Sequence, residues 1–119
     1  MEQRPHIVPQ DDPFMERLFA AMCRNVPALP GDTFVDEARR WIAALNCAAS
    51  LKPRDQAEWL QAADVATQQF FAVYSLVMQQ LETTTSKQRL KHAQNFVLHQ
   101  QAMRDARHRY DLLRKSRAA

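Results

Sequence analysis

Residues 55–86 read DQAEWLQAADVATQQFFAVYSLVMQQLETTTS, and this stretch decides the fold. Asp55 with Glu58 three residues later has the form of a helix start, with carboxylates at the positive end of the new helix. From there Trp59, Ala63, Ala66, Phe70, Val73, Val77 and Leu81 recur at alternating four- and three-residue steps, a near-heptad seam. Leu60, Phe71, Tyr74, Leu76 and Met78 widen that seam over most of the circumference. A helix apolar nearly all round is surrounded by other helices, so this one is expected at the centre of a bundle. The run Thr83-Thr84-Thr85-Ser86 then weakens the helix with β-branched side chains, and Thr85 with Gln88 forms the start of another.

The three-four spacing also counts straight through the threonines, from Leu81 to Thr85, Gln88, His92 and Phe96. An unbroken helix over 55–115 would be a rod of about 90 Å with a polar, weak seam in its middle. Folding the fourth helix back on the third buries more apolar surface, so a hairpin is expected. The fourth helix continues to about Lys115 along Phe96, His99, Met103, Ala106, Tyr110 and Leu113.

Upstream, Asp12-Pro13 marks a first helix with Asp12 as N-cap and Pro13 at its first position. Its apolar stripe is Phe14, Met15, Leu18, Phe19, Met22 and Val26, and Pro27 stops it. Pro27-Ala28-Leu29-Pro30-Gly31-Asp32 is a tight connector. Thr33 with Asp36 then forms a capping box for a second helix, whose expected stripe is Phe34, Val35, Ala38, Trp41, Ile42, Leu45 and Ala48 or Ala49. Lys52-Pro53 ends it. The reading is an all-α, single-domain four-helix bundle, two short N-terminal helices packed on a long C-terminal hairpin. The helices are placed near 13–26, 33–51, 54–82 and 86–115. Residues 1–11 read as a flexible arm, 12–115 as the bundle and 116–119 as a frayed end.

Composition agrees. The chain has 119 residues, one glycine and six prolines, and neither residue type occurs in the 66 positions from Arg54 to Ala119. Eighteen alanines and twelve glutamines favour helix over turns and strands. A single glycine excludes the phosphate-binding loops, which need several at fixed offsets. The N-terminal residues lack the apolar core of a signal peptide, and no apolar run approaches the ~20 residues that span a bilayer. A cytoplasmic protein without a membrane span is expected. Cys23 and Cys47 are too few for a paired-cysteine zinc site and are expected as free thiols.

Charge is distributed unevenly. Residues 1–85 hold seven Lys/Arg against eleven Asp/Glu, and residues 86–119 hold nine against two. Arg89, Arg104, Arg107, Arg114 and Lys115 share one arc of the fourth helix, a pattern that meets phosphate or an acidic partner. The plain alternative is a solvated face, and Asp111 lies within helical reach of Arg107 and Lys115. His92 and His99 do not carry the Glu-x-x-His spacing of di-iron bundles, and the two-cysteine motif of covalent haem is absent. No catalytic constellation emerges, no small-molecule substrate is implied, and the expectation is a non-enzyme with no cofactor and no metal.

Leu90, Val97 and Leu112 form a second, sparser apolar line on the fourth helix, away from its main stripe. With Arg104, Arg107 and Arg114 beside it, this line is the candidate partner-binding face. The functional expectation is a helical protein–protein interaction module, an adaptor or small chaperone-like protein, binding a protein partner or itself through helix faces. The competing expectation is a small regulator that binds nucleic acid through the basic fourth helix. A metal- or haem-carrying bundle is the third.

Overall fold

The computed structural model describes residues 12–81 and 84–117. Four helices follow in order: α1 (Pro13–Asn25), α2 (Phe34–Ala49), α3 (Gln56–Gln79) and α4 (Ser86–Ser116). The described residues contain no strand, and α3 and α4 pack against one another as an antiparallel hairpin. The arm expected over residues 1–11 and the final Ala118-Ala119 lie outside the described residues. Ser116 closes α4 and Arg117 is its C-cap.

The helix starts follow from local chemistry. Asp12 accepts the Phe14 N–H at 2.9 Å, and Pro13 occupies the first turn where no N–H is needed. Thr33/Asp36 and Thr85/Gln88 both form reciprocal capping boxes. The second of these resolves the continuity of α3 and α4. The helix stops at Gln79, and the buried Thr84 donates its hydroxyl to the Met78 carbonyl at 2.8 Å. Arg89 reaches back to the carbonyls of Gln79 and Leu81, satisfying acceptors that the end of α3 leaves open.

The connector between α1 and α2 is a hydrogen-bonded turn, Leu29 O accepting from Asp32 N at 3.1 Å. Pro30 and Gly31 hold its two central positions, and Gly31 at φ +84° supplies the left-handed conformation that the second of them requires. Asp32 then accepts from the Leu29 N–H at 2.7 Å and pairs with Arg40 of α2. The Arg40 guanidinium holds the Asp32 carboxyl below the usual carboxylate range.

The core departs from the expected stripes at α2 and α3. Phe34, Val35 and Ile42 are exposed, whereas Ala44, Ala48 and Ala49 are buried. On α3 Ala63 and Ala66 of the expected seam are buried, together with Ala62, Val65 and Ala72 outside it, while Leu60, Val73 and Leu76 are exposed and Phe70 is only partly covered. The physical reason is the contact between small residues. Helices approach more closely where alanines meet, so the line of closest approach carries alanine and the larger side chains splay to its sides. α3 is the element that every other helix packs on, but it is not enclosed. The molecule measures 53 × 33 × 20 Å, and the last figure is only two helices thick.

Ala66→Leu tests that contact. Ala66 is fully buried in the core cluster, so the added side chain must displace its neighbours and should destabilise by about 2–3 kcal/mol. Urea unfolding with an unchanged slope and a lower midpoint would report it. A neutral result would place Ala66 away from the crossing.

Candidate interaction surface

Exposed apolar side chains occur on α2 (Phe34, Val35, Ile42) and α3 (Leu60, Val73, Leu76) as well as on α4, and two arrangements that carry concentrated charge involve α4. The first lies at the base of the hairpin, where the start of α3 meets the end of α4. The second is the outer face of α4.

At the base, the turn after α2 places Lys52 in the left-handed conformation at φ 57°, just before Pro53. The Leu51 carbonyl at this turn accepts the Tyr110 hydroxyl at 2.6 Å and Arg114 Nη1 at 2.8 Å. Beside it the Glu58 side chain is fully covered. Glu58 accepts the backbone N–H of Arg54 at 3.0 Å and its guanidinium at 2.9 Å, with Arg117 at 3.3 Å and Arg114 at 3.7 Å. Arg117 also pairs with Asp55. The Arg54 guanidinium, chiefly, lowers the Glu58 carboxyl to about 2. Three arginines thus converge on one carboxylate with Asp55 at its edge, which ties the end of α4 to the start of α3. The chemistry is that of an internal ion-pair network.

The sequence reading gives Glu58 a capping role. Only half of that box forms: Asp55 caps the Glu58 N–H at 3.0 Å, and the Glu58 carboxylate turns to Arg54 instead. The available signal was positional. An antiparallel hairpin sets the first turn of one helix against the last turn of the next, so acids at 55 and 58 face arginines at 114 and 117.

The six candidate partner-binding residues do not all lie together. Leu90, Val97 and Leu112 are 62%, 60% and 51% exposed, and Arg104 is exposed on the same side. Leu98, which the apolar line omits, is equally open. Arg107 pairs with Asp111 one turn on, at 3.2 Å. Arg114 is directed inward to Leu51 O, the Tyr110 hydroxyl and Glu58, with its guanidinium 5.7 Å from the Tyr110 ring centre. The opposite face of α4 is packed: Ala106 and Tyr110 are buried, and His99 stacks on Phe71 while its Nδ1 shares a 2.9 Å hydrogen bond with Gln68 Oε1.

The basic excess of residues 86–119 is largely engaged within the molecule. Of its nine Lys/Arg, four (Arg107, Arg109, Arg114 and Arg117) are paired with carboxylates. Arg89 is bound to α3 carbonyls. Lys87, Lys91, Arg104 and Lys115 have no carboxylate partner among the described residues.

Cys23 and Cys47 are unpaired and half-buried, and burial raises both thiols above their ordinary range. Among the described residues no group of three or more His, Cys, Asp or Glu is placed to hold a metal ion, and no helix is long and apolar enough to cross a membrane. Compared with known proteins, the chain matches no family model, no curated sequence and no solved structure.

Proposed function

We propose that this protein is a non-enzymatic interaction module that docks a protein partner on the outer face of α4. The observation that carries the reading is the apolar line of Leu90, Val97 and Leu112, exposed on a helix whose other face is already packed. This fold leaves more than half of each of these side chains uncovered, and exposed apolar area of this kind marks contact surfaces. The neighbouring Arg104 and the lysines of the same face speed and orient the encounter with an acidic surface. A cytoplasmic location belongs to the same reading, since two free thiols accord with a reducing compartment. The alternative, nucleic-acid binding, draws on the same helix. It loses weight because five of the nine basic residues are engaged internally.

Val97→Asp is the test. An exposed site tolerates the charge, so the thermal midpoint should stay within about 3 °C of the parent. Affinity capture with the intact tagged chain should retain a polypeptide that the variant loses. Unfolding of the variant would instead mean that Val97 is covered in the native molecule, since an unpaired buried charge is costly.

A further inference from the structure

The distal half of the α3–α4 hairpin differs in charge from everything else in the chain. Residues 65–81 contain no charged side chain, and residues 84–104 contain Lys87, Arg89, Lys91 and Arg104 but no Asp or Glu. The core cluster takes nothing from α3 beyond Phe70. Past that point the side-chain contacts of α3 run to α4, as in Phe71 with His99 and Tyr74 with His92. α1 and α2 therefore leave this half without a third layer. With Arg89 committed to the end of α3, three cations remain beside the exposed Leu90, Val97 and Leu98. A shallow groove beside Leu90 is lined by Lys87, Gln88, Lys91 and Gln94.

The pattern along α4 is that of one side of a helix pair. At about 100° per residue, Leu90, Gln94, Val97, Gln101 and Arg104 fall within an arc of roughly 80°, with Lys87, Lys91 and Leu98 along one edge. That width suits the apolar stripe of a single facing helix. Leu90 and Val97 are two turns apart, the repeat at which side chains of one helix enter the gaps of another.

Resting on the reading of α4 as a docking face, we infer that its occupant is an amphipathic α-helix of a partner protein that carries Asp and Glu beside its apolar stripe. Leu90, Val97 and Leu98 take the apolar stripe, and Lys87, Lys91 and Arg104 meet the flanking carboxylates. A second copy of this chain is the poorer occupant. Pairing the face with itself brings six cations together against only the two Asp105 carboxylates at its edge, and like charges across an interface oppose binding. Nucleic acid would lay phosphates over the apolar centre of the face. Base stacking would need an exposed aromatic residue there, and Phe96, the one aromatic of this segment, is half-buried. An anionic bilayer calls for a wide apolar face, whereas Gln94 and Gln101 interrupt this one.

The test is a display library of helical peptides of about 22 residues, with leucine fixed at three- and four-residue steps and the flanking positions random, selected on the intact chain. Recovered peptides should be enriched in Asp and Glu at the flanks. They should bind at least about tenfold more tightly than the same peptides with Lys at those positions. The Lys91→Glu/Arg104→Glu chain should reverse the preference towards Lys and Arg. Recovery of nothing, of peptides without acidic bias, or of a preference that survives the charge reversal would overturn the inference. So would binding of a DNA duplex or phosphatidylserine vesicles, lost in that variant, in place of any peptide. Val97→Asp, with Leu90→Ser as a milder second variant, separates this inference from the reading beneath it. If both changes abolish peptide binding while peptide charge is irrelevant, the docking face stands and the acidic partner falls. If both leave peptide binding intact, the docking face itself falls.

Discussion

Tyr110→Ala is expected to lower stability by about 3–5 kcal/mol, among the largest effects of any single change in this molecule. Tyr110 is 2% exposed and is the one large residue of α4 in the central core cluster. Its ring fills the space between the end of α2, the start of α3 and the last turns of α4. Removing it leaves a cavity, frees the Leu51 carbonyl of its 2.6 Å hydrogen bond and takes the aromatic surface from under Arg114. Tyr110→Phe keeps the ring and should cost only about 1 kcal/mol, the net value of one hydrogen bond. Urea unfolding of the pair separates the two contributions. Equal losses would mean that the hydroxyl, and not the packing, anchors α4.

Glu58→Ala should follow, at about 2–3 kcal/mol. Removing one partner of a buried ion pair costs more, but the three arginines here are one-third to one-half exposed and water recovers part of the loss. The change leaves Arg54, Arg114 and Arg117 clustered with only Asp55 to balance them. The same group gives the protein an acid sensitivity. Its carboxyl sits at about 2 when folded, against an ordinary 4.5, so the folded state favours the charged form. The stabilisation is complete above pH about 4.5 and drains away as pH falls towards about 2, because the unfolded chain binds the proton first. Glu58→Gln should therefore flatten the pH dependence of the thermal midpoint across that window. A variant whose acid profile keeps the parent's slope would remove Glu58 from the account.

Much of the fold is legible in the residues because its decisive signals are local. Asp12, Thr33 and Thr85 each cap a helix with their own side chains, and Pro27 and Pro53 follow helix ends by backbone geometry that neighbours do not alter. The hairpin is readable for a related reason: Thr85 and Gln88 satisfy each other, and a continuous helix offers them nothing comparable. The faces of α2 and α3 are less so. Periodicity marks Phe34, Val35 and Ile42 as a stripe, but which side of a helix is buried depends on how closely its neighbour approaches. Ala44, Ala48, Ala62 and Ala66 decide that approach while carrying little hydrophobic signal of their own. Arg114 illustrates the limit for the candidate site. Its wheel position puts it beside an apolar stripe, yet what directs it inward is a carbonyl at Leu51, 63 residues away in sequence. Leu90, Val97 and Leu112 depend on no such distant partner, and a line of apolar residues beyond what the main stripe uses can be seen in the sequence alone.

If the outer face of α4 is the docking face, Leu90, Val97 and Leu112 are open in the free protein and covered when the partner binds. Hydroxyl-radical footprinting reads it directly, because leucine and valine side chains are oxidised in proportion to their exposure. In the free chain Leu90, Val97, Leu98 and Leu112 should label strongly while Met15, Met22 and Tyr110 are protected. In the complex with the captured polypeptide, Leu90, Val97 and Leu112, with the adjoining Leu98, should become protected and the core residues should not change. Protection of the line in the free chain, or unchanged labelling in the complex, would contradict the account.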